Sequence, residues 1–116
     1  MQYMLLIYEP ENAYVGQEGQ AKLMDIVGKH MKLSADMRDA GVMQAGAGLQ
    51  PGATATTIKT TAAGQTLHDG PFAETREMLG GFYMIEAPDL DGALAWARRI
   101  PVLPGGMVEV RPVAQY

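Results

Sequence analysis

The first strand of this chain limits its possible folds more than any other segment. Residues 2–8 carry apolar or aromatic side chains on both faces of an extended segment, with Tyr3, Leu5 and Ile7 on one face and Met4, Leu6 and Tyr8 on the other. Strands that are apolar on both faces are typical of sheets that are covered on two sides. The pattern therefore predicts a central strand, in a sheet whose two faces are both hidden from water.

Two helices and five further strands are predicted downstream. The helical spacing of apolar side chains predicts a first helix over residues 17–40, with Gly41 as its C-cap. Asp89 is the predicted N-cap of a second helix, which runs to Ile100 and ends at Pro101. The predicted strands cover residues 42–49, 53–61, 66–68, 81–87 and 107–113.

The order of these elements predicts a single domain over residues 1–116 with an α+β fold. Two βαβ halves are the pattern of the ferredoxin-like split βαβ fold, in which both helices cover one face of an antiparallel sheet. The other face, which includes apolar side chains of the first strand, then needs a separate cover. We expect a C2 homodimer in which a second copy of the chain provides that cover.

Composition excludes several classes of function. With 47% hydrophobic and 19% charged residues and no long apolar run, the chain is expected to fold and to have no membrane partner. The net charge is −4 and the nine Lys and Arg residues are scattered, which argues against nucleic acid as a partner. Without cysteine, the chain cannot form disulfides, thiolate metal sites or cysteine nucleophiles. No secretory leader is visible, so the expected location is the cytoplasm.

Residues 68–77 combine a turn, an aromatic ring and three carboxylates. Asp69 and Gly70 supply turn geometry, Pro71 fixes φ, and Phe72 is one of only two phenylalanines in the chain. The segment predicts a shaped, acidic loop at a functional site. A tight connection with a hydrophobic anchor is the structural alternative.

Five segments together carry a family resemblance: residues 3–8, 79–83, 93–97 and 108–113, and the motif Asp69-Gly70-Pro71-Phe72-Ala73-Glu74-Thr75. They resemble the DGPF subgroup of the YCII-related family, except at Arg76, where that pattern has lysine. The resemblance implies a ferredoxin-like domain that pairs into a dimeric α/β barrel. It also implies a likeness to muconolactone-type dehalogenases or isomerases and an association with extracytoplasmic-function sigma factors. Neither association identifies a substrate.

His30 lies on the apolar stripe of the predicted first helix, near Ile26, Leu33 and Met37. A partly buried histidine that bonds a carbonyl or a hydroxyl is the structural interpretation. The spacing from His30 to Gly41 resembles that of the family's helix histidine, which implies His30 as the acid/base of a catalytic site. Asp69 is the predicted catalytic partner, and Glu74 is a second candidate carboxylate.

The predicted pocket lies between the sheet and the first helix, beside His30 and Asp69. The predicted substrate-binding residues are Tyr8, Phe72, Glu74 and Arg111. Arg111 has two interpretations: it could pair with the acidic segment 74–77, or it could bind a substrate carboxylate. No metal site is predicted, because the two histidines and the carboxylates lack ligand spacing. No cofactor is predicted either, because the chain has no dinucleotide fingerprint.

Two functions follow from these features. The first is a cofactor-independent homodimer that binds a small molecule and uses His30 for acid/base chemistry on a lactone or a carboxylate. The second is a non-catalytic dimeric regulatory or ligand-binding module, associated with a sigma factor, in which the Asp69–Phe72 loop is structural or forms a contact surface. A polar, ligand-sized cavity at His30 would favour the first, and a filled core there would favour the second.

Overall fold

The computed structural model describes residues 1–71 and 77–116. In chain order the elements of these residues are β1 (Gln2–Pro10), α1 (Gly16–Asp39), β2 (Met43–Gly48), β3 (Thr56–Thr61), β4 (Gly64–Asp69), β5 (Glu77–Glu86), α2 (Leu90–Ala97) and β6 (Met107–Pro112), with a single 3-10 turn at Gly52–Thr54. Each predicted helix and strand has a counterpart among them. The ends differ most at β5, which begins four residues before its predicted start at Gly81.

Four strands form the main sheet, in the order β2-β5-β1-β6, and every neighbouring pair is antiparallel. This order and the element sequence confirm the predicted α+β, ferredoxin-like architecture. β1 lies between β5 and β6, as its two apolar faces predicted. The register pairs Leu5 with Tyr83 on one side and with Val110 on the other.

The strands β3 and β4 form a separate two-stranded hairpin, which follows β2 and precedes β5 in the chain. Ile58 and Leu67 stand opposite each other in this hairpin, and their exposed fractions are 61% and 73%. At its base, the Gly70 backbone N–H donates to the Ala55 carbonyl at 2.7 Å, and the Thr57 hydroxyl donates to the Gly70 carbonyl at 2.8 Å. Gly70 has a φ of +99°, which a residue without a Cβ adopts at little cost.

The hydrophobic core lies between the helices and one face of the main sheet. Its buried side chains come from β1, β5, α1, α2 and the segments after β5 and α2: Tyr3, Leu5, Ile7, Leu33, Met37, Tyr83, Ile85, Ala87, Ala93, Ala97 and Ile100. Leu5 and Met37 are completely buried, so truncating either to alanine should cost about 2–5 kcal/mol. The domain is only 19 Å thick in its shortest dimension, which matches one sheet and one layer of helices.

The predicted C-terminal glycine of α1 and the predicted N-cap of α2 are both present. Gly41 follows α1 with a φ of +74°, and the backbone N–H groups of Gly41 and Val42 donate to the Arg38 and Met37 carbonyls. The Asp89 carboxylate accepts a hydrogen bond from the Gly92 N–H at 2.8 Å at the start of α2. α2 ends at Ala97, before its predicted end at Ile100. Neither α1 nor α2, the helices of the described ranges, has the length and apolar character that crossing a membrane requires.

Candidate functional site

A cavity of about 780 Å³ opens between α1 and the sheet, at the side formed by β2 and β5. Its wall is largely apolar, with side chains such as Ile26, Met43 and Met78. Its polar side chains include Glu9, Tyr14, Gln20, His30, Ser34, Arg38 and Tyr83. This volume and this mixture of a few polar groups in an apolar wall are typical of sites that bind small molecules.

His30 projects from α1 into this cavity. Its Nδ1 is hydrogen-bonded to the Tyr83 hydroxyl at 2.7 Å, and the two rings are stacked with their centroids 5.8 Å apart. Ser34, one helical turn further on, donates its hydroxyl to the His30 carbonyl at 2.9 Å and lies 3.5 Å from the Tyr83 hydroxyl. The imidazole is therefore oriented by a buried tyrosine of the central sheet.

Burial lowers the pKa of His30, because the cavity wall disfavours the charged imidazolium. Two weaker effects raise the pKa of His30: the negative charge of Glu9, and a hydrogen bond to the backbone carbonyl of Pro101. The net direction is downward, so the imidazole is neutral near pH 7. The one N–H of a neutral imidazole is donated to the Pro101 carbonyl, so Nδ1 is the basic nitrogen and accepts from the Tyr83 hydroxyl. A proton from a bound molecule can reach Nδ1 through that hydroxyl, which passes its own proton to Nδ1 and takes up the one from the ligand.

Glu9 reaches the same cavity from the end of β1. The register between β1 and β5 shifts after Ile7, so that Gly80 is a bulge residue without a partner on β1. A Cβ built on Gly80 would lie 3.0 Å from Oε2 of Glu9, and the glycine therefore leaves room for this carboxylate. The Gly80 carbonyl accepts a hydrogen bond from the Leu49 N–H at 2.9 Å, which ties the bulge to the segment after β2.

Tyr14 holds Glu9 in place. Its hydroxyl donates to Oε1 of Glu9 at 2.6 Å. Burial raises the pKa of Tyr14 far above its ordinary value, and the hydrogen bond with Glu9 and the charge of that carboxylate raise it further. Tyr14 therefore remains protonated and remains the donor. Its own carbonyl accepts a hydrogen bond from the Gln20 side chain at 3.1 Å, which fixes the loop against α1.

His30 is the predicted site residue that lines this cavity. Tyr8 lies on the opposite face of β1 and lines a second cavity of about 1100 Å³, together with Pro71 and Glu109. Asp69 stands opposite Thr56 in the β3–β4 hairpin, and Arg111 donates its Nε–H to Glu109 at 2.7 Å within β6. Neither Asp69 nor Arg111 lines either cavity. The predicted pairing of His30 with Asp69 and the predicted substrate contacts of Tyr8 and Arg111 stay predictions.

Phe72 and Glu74, the other two predicted substrate-binding residues, lie outside the described residues. Three residues of the cavity wall were not predicted as site residues: Glu9, Tyr14 and Tyr83. The strand alternation of β1 places Glu9 on the same face as Ile7, and that face is covered by the helices. Two sequence signals could have identified site residues. A carboxylate that continues the helix-facing alternation of β1 points to Glu9. A tyrosine on the buried face of a strand points to Tyr83, because its hydroxyl needs a hydrogen-bond partner.

Comparisons with known proteins identify the family of this chain and a curated relative. The family model described as a YCII-related domain matches residues 1–116. An uncharacterised protein of Rhizobium meliloti (strain 1021) is 36% identical over 121 residues, which cover 100% of this chain and 94% of that relative. The family match extends over the cavity and the hairpin alike.

Proposed function

The chain belongs to the YCII-related family. We propose that it is a cofactor-independent, small-molecule-binding enzyme that uses His30 for acid/base chemistry. The observation that carries the proposal is the His30–Tyr83 hydrogen bond of 2.7 Å in a cavity of about 780 Å³. A core histidine with a merely structural role would be enclosed by packed side chains. His30 instead lines a space that is large enough for a ligand.

The surroundings of His30 suit proton transfer. Burial keeps the imidazole neutral and ready to accept a proton, while Glu9 and the Pro101 carbonyl stabilise the imidazolium that forms. Tyr83 fixes the ring, and Ser34 lies beside the Tyr83 hydroxyl, so little reorganisation is needed when the charge appears. The mostly apolar wall suits a substrate with a hydrocarbon body and one oxygen function, such as a lactone or a carboxylate.

NMR can test this proposal without knowledge of the natural substrate, because the chain has only two histidines. The probes are dihydrocoumarin, an aromatic lactone, and the hydroxy acid that forms when its ring opens. We expect at least one probe to shift the imidazole signals of His30 and to leave those of His68, which lies on the hairpin, unchanged. The spectra of His30→Gln and His68→Gln assign the two imidazoles, and the shift of the His30 signals should persist in His68→Gln. If neither probe shifts the His30 signals, the proposal is contradicted for these ligand classes.

We further propose that the protein is a cytoplasmic homodimer of the DGPF subgroup, in which the open sheet faces of two copies form a dimeric barrel. Met4, Leu6 and Tyr8 are only partly buried on the face opposite the helices, and Phe82 and Met84 stand beside them on β5. An apolar face of this kind in a two-layer domain is stable when a partner covers it. The interface should exceed about 1,000 Å² of total buried area.

The charge of an aspartate tests this assembly. Leu6→Asp should convert the dimer to monomer, because an unpaired carboxylate cannot be buried at an apolar interface. Met24→Asp is the matched control, since Met24 is 76% exposed on α1 and lies on the helical side of the domain. Sedimentation velocity should give a dimer for the unmodified chain and for Met24→Asp. A monomer in the unmodified chain at micromolar concentration would refute the proposal.

The alternative of a non-catalytic regulatory module has one specific observation in its favour. Ile58 and Leu67 form an exposed apolar pair on the hairpin, which is a plausible contact surface for another protein such as a sigma factor. That function predicts no ligand response at His30. The NMR experiment therefore separates the two functions.

A further inference from the structure

We propose that Glu9 is the carboxylate that works beside His30, and that its charge makes the cavity select uncharged ligands over anionic ones. The inference rests on the proposed function, and it decides between the lactone and the carboxylate as the ligand class in favour of the lactone. Two features carry it: the placement of Glu9 and His30 in the wall of one cavity, and the contacts that fix the Glu9 carboxylate there.

The two oxygens of Glu9 differ in their contacts with the described residues. Oε1 accepts the Tyr14 hydroxyl at 2.6 Å, while Oε2 faces the bulge at Gly80 and has no hydrogen-bond partner among residues 1–71 and 77–116. A carboxylate that is held through one oxygen keeps its orientation without further ordering when a ligand enters. Tyr14 is thus a positioning residue for Glu9.

The charged and titratable groups around the cavity provide little positive charge to offset the negative charge of an anionic ligand. Glu9 on β1 and Glu11 in the following loop are acidic, and Tyr14 and Tyr83 are the tyrosines of the wall. α1 contributes His30 and Arg38. Arg38 is exposed and lies two helical turns beyond His30, so water and salt screen its charge.

A ligand carboxylate near His30 would therefore meet the negative charge of Glu9 in a partly desolvated space, where like charges repel more strongly than in water. A lactone avoids this repulsion and still offers oxygen atoms to hydrogen-bond donors of the wall. The lowering of the His30 pKa by burial acts in the same direction, because a neutral imidazole gives an anion no counter-charge.

The two probes introduced above differ in charge and share a carbon skeleton, so their affinity ratio measures the selectivity directly. At pH 6.5 we expect dihydrocoumarin to bind the unmodified chain at least tenfold more tightly than its ring-opened acid. Glu9→Gln should bring the ratio close to one by improving the affinity for the acid. Glu11→Gln removes the same charge from an exposed position at the cavity wall and should leave most of the selectivity intact.

The unmodified chain alone can overturn the inference, whatever the stability of the variants. Equal affinity for the two probes, or tighter binding of the acid, would refute selection by Glu9 and leave the proposed function standing. An unchanged ratio in a folded Glu9→Gln variant would also refute it. If neither probe shifts the His30 signals, the proposed function fails and the inference fails with it.

Discussion

Gly19 sits at a close approach between α1 and the loop that carries Tyr14, and replacing it with alanine should separate them. A Cβ at Gly19 would overlap the carbonyl carbon of Tyr14 and lie 2.8 Å from its Cα. Real Cβ contacts are never this short, and the opposing atoms are backbone, so the loop must move. Overpacking of this kind typically costs about 1–3 kcal/mol.

Gly28 provides a matched control on the same helix. A Cβ built on Gly28 meets nothing within 4 Å, so Gly28→Ala should gain only the helix propensity of alanine, about 0.5–1 kcal/mol. The same gain is present in Gly19→Ala, where the clash opposes it. The difference in unfolding free energy between the two variants therefore isolates the clash, and we expect about 1–3 kcal/mol in favour of Gly28→Ala.

Thermal and urea unfolding monitored by circular dichroism will measure this difference. For a chain of this length, each kcal/mol corresponds to about 3–6 °C in Tm. Because Tyr14 holds Glu9, Gly19→Ala should also change the imidazole signals of His30, whereas Gly28→Ala should leave them unchanged. A Gly19→Ala variant as stable as Gly28→Ala would show that the Tyr14 loop is not packed on α1. Tyr14 would then not be fixed in the position from which it holds Glu9.

Two further predictions concern His30 and the hairpin base. Burial lowers the pKa of His30 in the folded state. The contribution of His30 to the free energy of unfolding is therefore fully present above pH 6.5, its ordinary pKa, and is lost as the pH falls through the lower pKa of the folded state. The unfolding free energy of the unmodified chain relative to His30→Gln should therefore decrease between pH 7.5 and pH 5, and a constant difference would contradict the burial of the imidazole. Gly70→Ala should destabilise by about 1–3 kcal/mol because φ is +99°, whereas Gly48→Ala, whose Cβ would meet nothing within 4 Å, should change Tm little. Equal melting temperatures for these two variants would exclude strain at Gly70.

Local sequence signals predicted which elements form and two of the helix ends, because these depend on neighbouring residues. The alternation in β1 and the caps at Gly41 and Asp89 are examples. The same signals placed His30 on the inner side of α1. Its partner Tyr83 was not predicted, since the residue that faces a helix position depends on strand register and on how the helix packs across the sheet.

The predicted role of Asp69 shows the same limit. The sequence predicted the turn at Asp69 and Gly70, but β4, which ends at Asp69, pairs with β3 in the separate hairpin of the described residues. Sequence spacing gives no information about the direction in which such a hairpin leaves the main sheet. Glu9 lies just after the strand that was predicted over residues 2–8, whereas β1 extends to Pro10 and includes this residue.

The bulge at Gly80 connects the fold to the site. It inserts its extra residue into β5 and leaves the alternation of β1 unbroken, so Ile7 and Glu9 share the helix-covered face. Tyr8, between them, points to the open face that we propose as the dimer interface. Glycine in a strand interior weakens the strand, but here it gives the Glu9 carboxylate a place that a larger residue would occupy. β1 thus supplies the Glu9 carboxylate to the cavity and the Tyr8 ring to the opposite face. A side chain at position 80 would displace the Glu9 carboxylate and leave Tyr8 where it is.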